Sequence, residues 1–336
     1  MPVTGENGRP VVLVLRALKL GDLLVAVPAL HALRRAYPGH RLLYAAQGWL
    51  EDAVALVGGF ELLPTHGLDV PIALDPGQVD VAVNLHGRGV ESASRIEALK
   101  PGRVIGHASD RLPGPIWKDH IHERERWTRL LQWHGIEADP ADFRLNLPPA
   151  RTDRPSATVI HPGAAYGSRL WPEARFAKVA AELAKSGHDV VFTGSLRERP
   201  RAVRVAALAG LSEGRVFAGK QSLGSFAALV SESRLLVSAD TGAAHLATAY
   251  RRPSVVLFGP APPEEWGPPA GPHAVLTKAE ARRGDTFASD PDPALLGVEV
   301  DEVLGAVQDL GLLPSAPSGA PTPVPRDKAF QRHNPG

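Results

Sequence analysis

The chain has 336 residues, with 37 Lys and Arg against 36 Asp and Glu and no cysteine. A formal net charge of +1 removes any bulk electrostatic case for nucleic acid or an acidic membrane surface. The missing cysteine excludes disulfides, zinc–thiolate sites and a cysteine nucleophile. At ~100–200 residues per domain, the length predicts two domains. No apolar run approaches ~18 residues, so no transmembrane helix is expected. The polar start, MPVTGENGRP, lacks an apolar signal core. The expected location is the cytoplasm, with room for peripheral contact with the inner face of the membrane.

Val11–Leu15 reads as a buried strand and 16–21 as a loop. Asp22 then opens a helix with apolar residues at Leu23, Val27, Leu30 and Leu33, close to helical period. Pro28 should bend that helix or mark where its regular part begins. The spacing predicts strands at 42–45, 71–74, 79–85 and 103–105, with helices at 49–57, 91–99 and 122–134. Pro148–Pro155 is polar and proline-rich, as linkers are. A second β/α series follows, with strands at 158–160, 188–193 and 215–217 and helices at 172–186, 198–210 and 223–231. Leu235–Ser238, Ala243–Tyr250 and Ser254–Phe258 read as strand, helix and strand, a βαβ unit that implies a parallel sheet. A last helix is expected at 300–310. These elements divide the chain into 1–150, 151–312 and a disordered Pro-rich tail at 313–336.

Ligands of open parallel sheets bind beyond the carboxyl ends of the strands, and five such loops carry unusual residues. In Lys19-Leu20-Gly21-Asp22, Asp22 is either a helix cap or a general base. In the 161–172 loop, which contains Gly163-Ala164, Gly163 permits close backbone approach and Arg169 could hold a phosphate, or the segment is a plain turn with a surface arginine. Glu198 meets a ribose or steadies a helix dipole. Asp240, Thr241, Gly242 and Ala243 open a helix whose free N–H groups suit a phosphate, unless Asp240 is only its cap. His245 either touches a ligand or packs. His86 and Arg88 would contact an acceptor, or remain solvated.

No His/Asp/Glu grouping has metal-ligand spacing, and no cofactor is expected. There is no Gly-x-Ser-x-Gly elbow, no Walker phosphate loop and no dinucleotide fingerprint after the first strand. The last absence argues against an NAD enzyme.

Taken together, the loops resemble the glycosyltransferase family that contains the ADP-heptose:lipopolysaccharide heptosyltransferases, glycosyltransferase family 9. The residues that carry the resemblance are LRALKLGDLLVAVPALHALRRAYP at 15–38, HPGAAYGSRLWPEARF at 161–176, FTGSLRERPRA at 192–202 and SADTGAAHLATAYRRPSVVLFGP at 238–260. The resemblance implies two facing Rossmann-like doubly wound parallel-sheet domains (the GT-B type) and inverting, metal-independent sugar transfer. Its donor would be a nucleotide-diphosphate sugar and its acceptor a cell-envelope glycan or glycolipid. By the motif match Asp22 would be the base, Arg169 would offset pyrophosphate charge, Glu198 would meet the ribose and 240–243 would shape the phosphate site. Ala164-Ala165 stand where some members have a Thr pair, and Arg169 where they usually have Lys. These departures bear on the donor's identity rather than on the fold. Two other readings of the same fold are a sugar-nucleotide epimerase and a non-catalytic nucleotide-sugar binder.

Overall fold

The computed structural model describes residues 8–110 and 112–313. The tail expected at 313–336 lies, from 314 onward, outside the described residues. The first unit comprises β1 (Val11–Leu15), α1 (Leu20–Ala36), β2 (Arg41–Ala46), α2 (Glu51–Val57), β3 (Glu61–Pro64), β4 (Val81–Asn84), α3 (Val90–Glu97), β5 (Arg103–Ile105) and α4 (Glu123–Trp133). The second comprises β6 (Thr158–His161), α5 (Glu173–Lys185), β7 (Val190–Phe192), α6 (Arg199–Leu208), α7 (Leu223–Ser231), β8 (Leu235–Ala239) and α8 (Gly242–Ala249). It continues through β9 (Ser254–Leu257), α9 (Pro263–Trp266), β10 (His273–Leu276), α10 (Pro293–Leu296) and α11 (Val300–Asp309).

Each unit holds one parallel sheet, in the orders β3-β2-β1-β4-β5 and β10-β9-β8-β6-β7. The expected pair of doubly wound α/β domains is therefore what the chain forms. The strands β1, β4, β8 and β9 are buried at every position, as the run VVLVL of β1 shows, because helices cover both faces of such a sheet. Strand order reverses between β1 and β4 in one sheet and between β6 and β8 in the other. The loops that leave those strands open a crevice where ligands bind.

Several local expectations differ from the fold. Residues 71–74 are not a strand. Pro71 cannot donate to a ladder, and the neighbours of β1 are already β2 and β4. Ile72 instead plugs the sheet's face, beside a cavity of about 480 Å³ lined by Val11, Leu43 and Asp75. Residues 215–217 are not a strand either. A 3₁₀ turn at Glu213–Arg215 leaves Val216 alone to bridge Phe192. The short edge strands β3 and β10 were not expected. Both are only half-buried, and so lack the apolar signal of the inner strands. Helix α1 starts at Leu20, two residues before Asp22, and runs unbroken through Pro28. Every residue from Leu23 to Leu33 is buried, since α1 is packed by α4 on one side and α8 on another. A helix that is apolar all round is an interior helix, and its packing offsets the one hydrogen bond that Pro28 removes.

The chain crosses between the sheets after α4. The two units meet where α1 packs on α8 and α2 on α7. Leu20, Leu24 and Val27 share one contiguous apolar cluster with Ala243, Leu246, Ala247 and Tyr250. Each fully buried Leu or Val there contributes ~1.5–3 kcal/mol. Polar contacts fix the register. Asp52 Oδ2 accepts the Gly224 N–H at 2.7 Å, and His122 Nε2 lies 2.9 Å from the Gly267 carbonyl.

Burial, reinforced by Arg126, Arg124 and Arg251 respectively, pushes the pKa values of His107, His122 and His273 from 6.5 down to about 4. The folded protein keeps these rings neutral while the unfolded chain binds protons below pH 6.5, so stability falls as pH drops from 6.5 towards 4. Melting temperature should thus be flat near pH 7.5 and decline steadily between pH 6.5 and 5. A variant His122→Asn, which retains a capping oxygen for α4, should show a shallower decline; an unchanged slope would remove His122 from this account.

Candidate functional site

The loop from β1 to α1 forms the first wall of the crevice. Lys19 is the N-cap of α1, and Asp22 stands at the third helical position. The expected alternative of Asp22 as N-cap is therefore corrected. Asp22 supports the helix start from inside, its Oδ2 accepting the Lys19 N–H at 3.2 Å. An acid in the first turn also faces the positive end of the dipole. Asp22 Oδ1 carries no such bond. It lies 3.5 Å from Arg16 Nη2, and the side chain is 25% exposed.

Arg16 is buried behind it, its Nε donating to the Asp22 carbonyl at 2.6 Å and its Nη1 to the Leu85 carbonyl. His86, on the loop after β4, comes close to this loop: its Nδ1 accepts the Ala17 N–H at 3.2 Å. Burial first, and then the Arg16 charge, hold its pKa below the usual range, so the ring is a neutral acceptor here. Arg88, two residues on, lies 5.6 Å from the Trp117 ring centroid.

The second wall comes from three loops of the other sheet. Gly163 follows β6, and a Cβ placed there would stand 2.5 Å from the Glu198 carboxylate. Only glycine allows that approach. Glu198 is the N-cap of α6, where its Oε2 accepts the Ser195 N–H at 2.7 Å. Burial pushes its pKa up, but His161 and the Ser195 bonds outweigh this and leave the carboxyl below its ordinary range. Ala164 is half-buried and offers the crevice only its backbone.

Arg169 and Asp240 are brought together. Arg169 Nη1 lies 3.1 Å from Asp240 Oδ2 and donates to the Asp240 carbonyl at 3.2 Å. His245 Nε2 lies 3.6 Å from Asp240 Oδ1. Burial opposes the Asp240 charge, yet His245 and Arg169 together hold its pKa below the usual range. Asp240 is not the cap of α8; Thr241 occupies that position, without a side-chain cap bond. The Arg169 Nε and the Thr241 hydroxyl are buried without partners. Gly242 and Ala243 open α8, and N–H groups at a helix start have no preceding turn to bond. Unpartnered donors beside a helix N-terminus suit an anion.

The two walls touch. A Cβ on Gly21 would stand 3.0 Å from the His245 ring, and one on Gly242 2.9 Å from Leu20. The Lys19 ammonium lies 4.3 Å from the Tyr166 ring centroid, across the junction. The sequence reading missed Arg16, Lys19, Tyr166, Glu123 and Trp127. A lone Arg directly after a buried strand, and the Glu123-Arg124-Glu125-Arg126-Trp127 run, were the available signals. Among the described residues no three His, Asp or Glu lie together as a metal site would need.

The family profile Glycosyltransferase family 9 (heptosyltransferase) matches residues 127–288. The lipopolysaccharide heptosyltransferase 2 of Salmonella typhimurium is 28% identical over 225 residues, covering 64% of this chain. The match spans only 60% of that relative's length. Among solved structures, a family 9 glycosyltransferase from Veillonella parvula superposes with a TM-score of 0.71 at 19% identity, covering 92% of this chain and 98% of its own. An E. coli heptosyltransferase solved with ADP gives 0.68 at 21% identity, covering 89% and 99%. At those identities the superpositions show the shared fold.

The Gly242–Leu20 contact makes a prediction. Gly242→Val should lower the melting temperature, because the new side chain meets Leu20 at the junction. Adding Leu20→Ala should recover much of the melting temperature. If the double variant melts no higher than Gly242→Val alone, the clash is elsewhere.

Proposed function

We propose that this chain is a member of glycosyltransferase family 9, the heptosyltransferases, whose profile matches residues 127–288, and that it moves a heptose-like sugar from a nucleotide-diphosphate donor to a cell-envelope glycan or lipid-linked acceptor. The observation that carries this is the meeting of a carboxylate with one unbonded oxygen, Asp22 Oδ1, and an anion-ready corner made by Arg169 and the start of α8. The donor is proposed to be ADP-linked, supported by the ADP named with the E. coli structure. The acceptor class is supported by the lipopolysaccharide named for the Salmonella relative. The acceptor side is residues 1–150 and the donor side 151–312. We propose a cytoplasmic protein that makes peripheral contact with the inner face of the membrane; no helix among the described residues is long and apolar enough to cross a membrane.

In this reading the acceptor hydroxyl lies against Asp22. As its oxygen forms the new bond to the anomeric carbon, its proton passes to the carboxylate. The anomeric bond to the diphosphate breaks on the opposite face, so the configuration inverts. The departing diphosphate gains charge, which Arg169 and the first N–H groups of α8 are placed to meet. Glu198 is aimed at the ribose hydroxyls, and its carboxylate form is the one that accepts their hydrogen bonds. His245 holds Asp240, so that Arg169 stays at the corner. His86 and Arg88 belong to the acceptor side.

Three measurements test the proposal. Asp22→Asn keeps shape and an oxygen for the Lys19 N–H, but cannot take a proton. Turnover should fall by ~10²–10⁴ with melting temperature and donor affinity nearly unchanged. A near-normal rate would return Asp22 to helix support alone. Arg169→Met removes a charge-assisted contact worth ~1.5–3 kcal/mol, so the calorimetric Kd for ADP should rise by roughly 10- to 100-fold. Transfer should also survive exhaustive EDTA treatment, since protein groups meet the diphosphate charge. Activity that disappears and returns only with added divalent metal would sink that part.

A further inference from the structure

A guanidinium is buried directly behind Asp22. The Arg16 side chain is 1% exposed, and a buried charge is costly unless it is paired and hydrogen-bonded. Its Nε and Nη1 are spent on the Asp22 and Leu85 carbonyls. Its plane lies 4.6 Å from the Trp127 ring centroid, which fixes its orientation. Nη2 remains, and it faces two carboxylates at nearly equal distance: Asp22 Oδ1 at 3.5 Å and Glu123 Oε2 at 3.7 Å. Neither distance is that of a closed charge-assisted bond, ~2.7–2.9 Å.

Glu123 is the more rigid of the two. It is 10% exposed, its Oε1 accepts from Arg126 Nε at 2.6 Å, and its Oε2 accepts from the Trp127 indole at 3.0 Å. It comes from α4, the helix packed on α1. Asp22 Oδ2 is held by the Lys19 N–H, so Oδ1 is the oxygen left for a proton.

We propose that Arg16 and Glu123 are positioning residues for Asp22, and this rests on the reading of Asp22 as the base. Arg16 fixes the backbone of Asp22 and the direction of its carboxylate. Glu123, anchored from α4, divides the attraction of Nη2 and keeps it from closing on Oδ1. A guanidinium bonded tightly to Oδ1 would occupy one of its two lone-pair sites and make the carboxylate a weaker base for the acceptor's proton. With Glu123 neutralised, Nη2 has one carboxylate left to approach. The base would then be weakened and turned toward Arg16 although its surroundings stay folded.

The test is a double-mutant cycle on the full chain, with ADP-heptose as donor and heptose-deficient lipopolysaccharide as acceptor. Glu123→Gln retains an oxygen for the Trp127 indole but removes the charge. Its kcat should fall about 10- to 100-fold, the cost of a misplaced reacting group. Its calorimetric Kd for ADP should not change, and Glu123→Asp should restore part of the rate. In an Asp22→Asn background the same substitution should have almost no further effect, because the two residues act as one unit. An equal fold-loss in both backgrounds, or a wild-type kcat for Glu123→Gln, would overturn the positioning role. A near-normal rate for Asp22→Asn alone would instead overturn the base reading, so the two failures are distinct. If Glu123→Gln does not fold, Arg16→Lys is judged in the same way. It keeps the charge, but a single ammonium cannot reach the carbonyls and both carboxylates, so kcat should fall only where Asp22 is present.

Discussion

Everything at the crevice depends on α1 and α8 meeting near their N-termini. Leu20 and Gly21 lie against Gly242 and His245, and the approach is possible because two of those four residues have no side chain. Each helix start carries roughly +0.5 of an elementary charge from its aligned peptides. Bringing two such ends together would be unfavourable without acids nearby. Asp22 stands in the first turn of one helix and Asp240 two residues before the other. The same apolar contact that joins the two units therefore creates the electrostatic character of the site.

This arrangement leaves a directed imbalance. In the first unit, Arg16 has two carbonyls, two carboxylates within 4 Å and an indole around it. In the second unit, Arg169 Nε and the Thr241 hydroxyl remain unbonded although buried. Burying an unpaired polar atom costs on the order of 1–3 kcal/mol. An anionic ligand whose acceptor oxygens reached these groups would relieve that cost. The fold thus holds one side of the crevice complete and the other incomplete.

Much of the fold was legible because buried parallel strands announce themselves as short runs of Val, Leu and Ile, bounded by Gly and Pro. The inner strands β1, β4, β6, β8 and β9 each carry such an apolar run, and β2 carries Leu, Tyr and Ala in its place. The edge strands β3 and β10 do not, because a half-buried edge needs no continuous apolar run. The segment 71–74 shows the converse: its residues suit a strand, but no free position beside the central strands existed for it. At the site, local signals located Asp22, Gly163, Arg169, Glu198 and the 240–245 turn. Asp22 and Asp240 were legible as helix-start acids, but one lies inside the first turn and the other faces Arg169, since N-cap position depends on dihedral angles that a sequence does not display.

The sequence by itself determined the class of fold, two β/α series with glycine-rich loops beyond buried strands, and placed this chain's loops beside those of family 9. Period and composition are local properties, and they act through burial that every parallel sheet shares. Only the tertiary structure decided that Arg16 is shared between Asp22 and Glu123, 101 positions farther along the chain, and that Gly242 meets Leu20 rather than open space. Such contacts arise from how α4 and α8 pack on α1. A charged or small residue has the same local pattern whether it meets solvent, a ligand or a distant helix, so its partner exists only once the helices are in place.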